Sequence, residues 1–170
     1  LGSESQLSTQ SKNPSESVSS SATPQPQVPK AVLPACGVHD VSNTARLWRR
    51  KKLPWYLVDQ LADCTAGYLP RHHTFSETAL DLANPIRVFE RGDKPSRPIP
   101  PFCLSVGTRD PLLDDTRRLD SALVKLGVST QTDYYPGEVH AFHALIWRNA
   151  ARRCWQQMFK FLEETETQST

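Results

Sequence analysis

The chain has 170 residues, with 20 Lys and Arg against 18 Asp and Glu for a net charge of +2, enough for one domain of ordinary size. That near balance offers none of the strongly basic faces expected of a nucleic-acid binder. No apolar run approaches the roughly 20 residues of a membrane-spanning helix.

Residues 1–30 are dominated by Ser, Gln, Thr and Pro. Such a stretch buries too little apolar surface to offset roughly 1–2 kcal/mol of backbone entropy per ordered residue, and we expect it to be disordered. The amino end shows neither a basic n-region nor an apolar h-region, so it reads without a signal peptide, which slightly favours the cytoplasm. The foldable part is then 31–164, followed by a tail at 165–170. Cys36, Cys64, Cys103 and Cys154 are widely spaced without a CxxC pair. We read them as free thiols acting as small apolar residues, not as zinc ligands or disulfides.

Ala31 to Val38 is an apolar run suited to a buried parallel strand ending near Gly37, with Pro34 making it irregular. His39 and Asp40 open the following loop and read as ordinary loop residues, with the pocket rim as the alternative. From Asn43 to about Leu82 the texture is helical. Pro54 opens a helix in which Trp55, Leu57, Val58, Leu61, Ala62 and Thr65 recur at helical spacing, with Gly67 as its stop. Ser76 caps a second short helix to Leu82. No strand pattern appears there, so 43–90 reads as a helical insertion. Arg49 to Lys52, beside Trp48, Trp55 and Tyr56, reads as a solvated helix with its aromatics packed inward rather than a membrane or acidic-partner contact. His72-His73 lacks a third metal ligand nearby. Pro95, Pro98, Pro100 and Pro101 make an extended connector.

Phe102 to Val106 reads as a strand. Asp114 or Asp115 caps the next helix, whose apolar side is Leu119, Ala122, Leu123 and Leu126, ending at Gly127. Ser129 to Tyr135 is a second strand, and a last helix runs from about His143 to Glu164. Its expected apolar stripe is Ile146, Ala150, Cys154, Trp155, Met158, Phe159 and Leu162. Strand, helix, strand, helix implies an α/β fold with a parallel sheet.

Chemistry in such sheets collects beyond the carboxyl ends of the strands, where Asp110 and His140 both fall. An acid followed by a histidine, each after its own strand, suits a relay in which a carboxylate orients an imidazole. From the residues alone, Asp110 equally suits a side-chain cap for the next turn, and His140 an exposed loop position. Gly107 and Pro136-Gly137 let the chain turn before each. Asp110, Asp114 and Asp115 together read as helix-start charge rather than a metal cluster.

The wording around the pair is more specific. Val106-Gly-Thr-Arg-Asp-Pro-Leu-Leu-Asp-Asp115 and Tyr135-Pro-Gly-Glu-Val-His-Ala-Phe142 resemble the acid and histidine motifs of the hormone-sensitive-lipase-like α/β-hydrolases, over Ala31 to about Glu164. The resemblance implies a partial α/β-hydrolase fold: the last parallel strands and helices, with the helical insertion as a cap. It implies that Asp110 is the triad acid and His140 the triad base, with His143 outside the motif register. It further implies ester or amide hydrolysis through an acyl-enzyme, with a small-molecule ester as the expected substrate and with no cofactor and no metal. In this family the cap usually covers the acyl pocket, so Trp48, Trp55 and Tyr56 are implied to shape substrate choice. No Gly-x-Ser-x-Gly turn and no His-Gly-Gly-type loop occurs in the chain. We therefore expect the carboxyl-terminal half of a serine hydrolase, inactive alone, whose nucleophile lies upstream. A non-catalytic hydrolase-like binding protein and a prolyl-oligopeptidase-type peptidase are the alternatives.

Overall fold

The structure is a computed structural model that describes residues 28–42, 46–47, 55–69, 74–93 and 95–168. The expected disorder at 1–30, the basic run at Arg49 to Lys52, Trp48 and His72-His73 lie wholly or mostly outside the described residues. Helices α1 (Trp55–Tyr68), α2 (Glu77–Ala83) and α3 (Pro85–Arg91) precede strand β1 (Phe102–Gly107). Then come α4 (Leu113–Lys125), β2 (Thr130–Tyr135), a 3-10 turn (Phe142–Ala144) and α5 (Asn149–Gln168).

Strands β1 and β2 are parallel, with Phe102 opposite Thr130 and Gly107 opposite Tyr135. All six β1 residues are buried, as expected of a parallel strand covered on both faces. On its other edge β1 pairs with the Ala31 run. Val32 bridges Phe102 and Ala35 bridges Ser105, but Pro34 interrupts the ladder and leaves two isolated bridges instead of a continuous strand. One face packs Cys103 and Tyr135 against Ala150, Cys154, Met158 and Phe161 of α5. The opposite face packs Phe102 and Leu104 against Ile86 of α3 and Leu119 and Leu123 of α4.

Ser76 caps α2 as expected, its side chain accepting from the Ala79 N–H at 3.2 Å. Helix α3 was not anticipated. Pro85 at its first turn, the fully buried Ile86 and the left-handed Gly92 at its end account for it. Four expectations need correction. Leu112, not Asp114 or Asp115, occupies the α4 cap position, and both aspartates lie inside the first turn. The last helix begins at Asn149 instead of His143, because residues 142–144 form a 3-10 turn that seats Phe142 in the core. Its buried stripe is Ala150, Ala151, Cys154, Met158, Phe161 and Thr165, whereas Ile146 and Phe159 are exposed and Trp155 stacks on Phe159 at the surface. Trp55 and Tyr56 also face solvent, at 77% and 51% exposure, so these aromatics do not pack inward.

Gly107 sets how closely the two strand-end loops approach. A Cβ there would lie 2.2 Å from the Glu138 carbonyl oxygen, which is backbone and has no rotamer to yield. Gly67 in α1 has no atom within 4 Å of the corresponding position. Gly107→Ala is therefore expected to destabilise the fold by about 2 kcal/mol as the loops separate. Gly67→Ala should be neutral or stabilise by up to about 1 kcal/mol through helix propensity. Urea midpoints of the two variants, compared with the parent, test the contrast.

Candidate functional site

Beyond Gly107 the chain turns at once. The Asp110 N–H donates to the Gly107 carbonyl, and the Leu112 N–H donates to Asp110 Oδ1 at 2.8 Å. Asp110 is thus a side-chain cap of its own turn, fully buried and oriented before anything else touches it. Across to the β2 loop, the Arg109 N–H donates to the Glu138 carbonyl at 2.9 Å, and from that loop the Gly137 N–H donates to Thr108 Oγ1 at 2.9 Å. Glu138 is itself buried and pairs with Arg148 at 2.9 Å. These bonds join the β1 loop to the β2 loop and bring the two sequence-predicted residues together.

His140 Nδ1 lies 3.1 Å from Asp110 Oδ2 and 3.3 Å from Oδ1. A carboxylate offers only acceptors, so Nδ1 carries the hydrogen and a neutral ring keeps its lone pair on Nε2. Asp110 therefore fills both roles that its position allowed, turn cap and imidazole partner. Ala141, next in sequence, adopts φ 56°, and Phe142 beyond it is fully buried 4.7 Å from the Tyr135 ring. Phe142 fastens the loop from below while the His140 side chain stays 45% exposed above.

The hydrogen bond to Asp110 raises the His140 pKa above its ordinary 6.5, and the Asp110 charge adds to this against the opposing effect of burial. His143 moves the other way, lowered by burial and then by His140. His140 also lines a small cavity of about 130 Å³, shared with Val38, Leu61, Cys64, Pro111 and Leu112. Its walls are apolar apart from Gln60 and His140, and one side is helix α1.

His39 and Asp40 do not line that cavity. His39 is buried with its backbone N–H donating to Asp115, and Asp40 pairs with Arg118 at 3.2 Å and accepts from Ser42. Arg46 forks onto both oxygens of the fully buried Asp115 at 2.6 Å. Asp115 thus fastens the segment after Gly37 to α4, a long-range role that its place in the first helical turn did not reveal.

Sequence reasoning also missed Cys36 as a neighbour of the pair. Its φ of 52° turns the chain off the sheet, and its thiol lies within 4.8 Å of ligand atoms of Asp110 and His140. Burial, and then the Asp110 charge, push the thiol up to about 12, so it stays protonated at neutral pH and is a poor stand-in for a nucleophile. Cys36, Cys103 and Cys154 are buried free thiols as expected, while Cys64 is exposed. Among the described residues no helix is long and apolar enough to cross a membrane.

Three solved structures place this geometry among known folds. An esterase/lipase from an uncultured bacterium aligns at 19% identity and a TM-score of 0.61, over 82% of this chain and 44% of its own. A hormone-sensitive lipase from a metagenome library aligns at 17% and 0.61, with coverage of 82% and 44%. Esterase B from Lactobacillus rhamnosis aligns at 17% and 0.58, with coverage of 82% and 42%. This chain therefore spans less than half the length of these structures, and at such identities the likeness is one of fold. No curated protein sequence matches. A family model described as alpha/beta hydrolase fold matches residues 11–144, beginning within the segment expected to be disordered.

His140 gives the pair a titration signature. Its raised pKa means that the protonated ring contributes stability below the ordinary 6.5, and that this contribution is lost as pH rises through the folded value. Proton NMR of the ring is expected to show a midpoint above 6.5 in the parent. In Asp110→Asn, where burial acts without the carboxylate, the midpoint should fall to 6.5 or below. An unchanged midpoint would separate the two residues in solution.

Proposed function

Because the chain belongs to the alpha/beta hydrolase fold family, we propose that it supplies the acid and the base of a serine esterase's relay. The observation that carries this reading is the contact of the exposed His140 with the buried Asp110 at 3.1 Å. In this reading Asp110 holds the imidazole in the tautomer with Nε2 unprotonated. Nε2 removes the proton from an attacking serine hydroxyl, and Asp110 stabilises the imidazolium that forms. The ring then returns that proton to the departing alkoxide, and a water repeats the sequence to release the acid.

The serine and its oxyanion donors come from outside these 170 residues, since the sequence holds no Gly-x-Ser-x-Gly turn. The apolar cavity beside His140 favours a carboxylic ester over a charged substrate, because its walls offer little to solvate charge.

The chain extended by its preceding coding sequence should hydrolyse a short-chain nitrophenyl ester, whereas the 170 residues alone should not. Within the extended protein, His140→Ala is expected to lower kcat by about 10⁴-fold or more, and Asp110→Asn by about 10⁴-fold. A nitrophenol burst from the 170-residue chain, or hydrolysis untouched by His140→Ala, would overturn the assignment.

A further inference from the structure

The proposed relay uses Asp110 and both nitrogens of His140, yet further donors lie beside them. One ligand atom each from Cys36, Asp110 and His140 lie within 4.8 Å of one another. His143 Nδ1 lies 3.9 Å from the Cys36 sulfur, beside that cluster but not within it. These side chains come from separate places: the bridged Ala31 run, the β1 loop, the β2 loop and the 3-10 turn. Cys36 and Asp110 are buried, while His140 is partly open to solvent and gives a small ion a way in.

We propose that Cys36, Asp110 and His140 bind a thiophilic divalent cation of the zinc class, with the fourth position left to solvent, and that the bound ion takes His140 out of the relay. Zinc holds four such donors tetrahedrally at about 2.3 Å to sulfur and about 2.0–2.1 Å to nitrogen and oxygen. Neighbouring donor atoms then sit roughly 3.3–3.6 Å apart, about an ångström closer than the widest spacing here. A small rotation of Cys36 and of the loop-borne His140 closes that gap. The donor types also balance. A thiolate and a carboxylate cancel the two charges of the cation and the imidazole adds none, so the buried complex is neutral.

On binding, the Cys36 S–H bond breaks, a sulfur–metal bond forms and one proton leaves to solvent. If Nδ1 of His140 coordinates, its hydrogen passes to Nε2, and no electrons are transferred. An imidazole bound to the metal no longer has a free nitrogen both to meet Asp110 and to accept a serine proton. The binding claim stands on its own, whereas the blocking claim rests on the role proposed for His140.

Cobalt(II) and zinc(II), added to the full 170-residue chain, test the site. Cobalt is expected to bind at one per chain with a thiolate-to-metal charge-transfer band, which zinc then removes. Cys36→Ser should abolish the band and weaken zinc, measured against a chromophoric chelator, by about 100-fold or more. His140→Gln, at a half-exposed position, should weaken zinc while keeping a shifted band. Cys64→Ser, at the exposed thiol, should leave both unchanged. A band that survives Cys36→Ser, or disappears with Cys64→Ser, overturns the site. Zinc bound at the Cys36 site with ester hydrolysis by the extended protein undiminished overturns the blocking claim.

Discussion

The site depends on one backbone contact. The carbonyl of Glu138 approaches the Gly107 Cα closely enough that no side chain fits between them, and it accepts the Arg109 N–H at 2.9 Å. That contact ties the loop leaving β1 to the loop leaving β2, and every distance between Asp110 and His140 is measured across it. Parallel pairing of β1 with β2 brings the strand ends level, with Gly107 opposite Tyr135. Only the missing Cβ then lets the next residues close the remaining gap. The Asp110 turn and the Phe142 anchor fix the two ends, one by a hydrogen bond to the Leu112 N–H and the other by burial.

A second constraint holds the third wall. The run after Gly37 would be an unsupported loop without Asp115, whose carboxylate accepts from the Arg46 guanidinium and from the His39 N–H. A fully buried carboxylate is costly to desolvate, and a forked guanidinium with a backbone donor offsets that cost without adding much net stability. What it adds is a unique placement. Asp40 extends the network to Arg118, which reaches Glu90 on α3, so Cys36 and Val38 are held between the sheet and two helices.

That Asp110 and His140 lie at neighbouring strand ends was legible because its determinants are local. A glycine after an apolar strand, an aspartate before proline, and Pro-Gly ahead of a histidine each describe a turn that needs no distant partner. What was illegible depends on partners far along the chain. Asp115 reads as first-turn charge until Arg46, 69 positions away, meets it. Cys36 reads as a small apolar residue because only its left-handed φ turns its thiol toward Asp110. Hydrophobicity alone assigned Trp155 and Phe159 of α5 to the core. Close packing of a helix on a sheet instead selected the small Ala150, Ala151 and Cys154. Helix α3 has only seven residues, too few for periodicity to announce it, and the buried Ile86 explains it only once the sheet is present.

The electrostatics around Asp110 connect the two proposed chemistries. One carboxylate faces an imidazole whose protonated form it favours and a thiol whose protonated form it also favours. Both effects have the same origin, since a buried negative charge resists a second one beside it and welcomes a proton. In that state the thiol is inert and the imidazole is oriented, which is the condition a relay needs. A divalent cation reverses the sign of the local field. The same burial that keeps Cys36 protonated then favours its thiolate, because a neutral metal complex is easier to bury than a lone carboxylate. The pocket therefore has two self-consistent charge states built from the same side chains, and the cation decides between them.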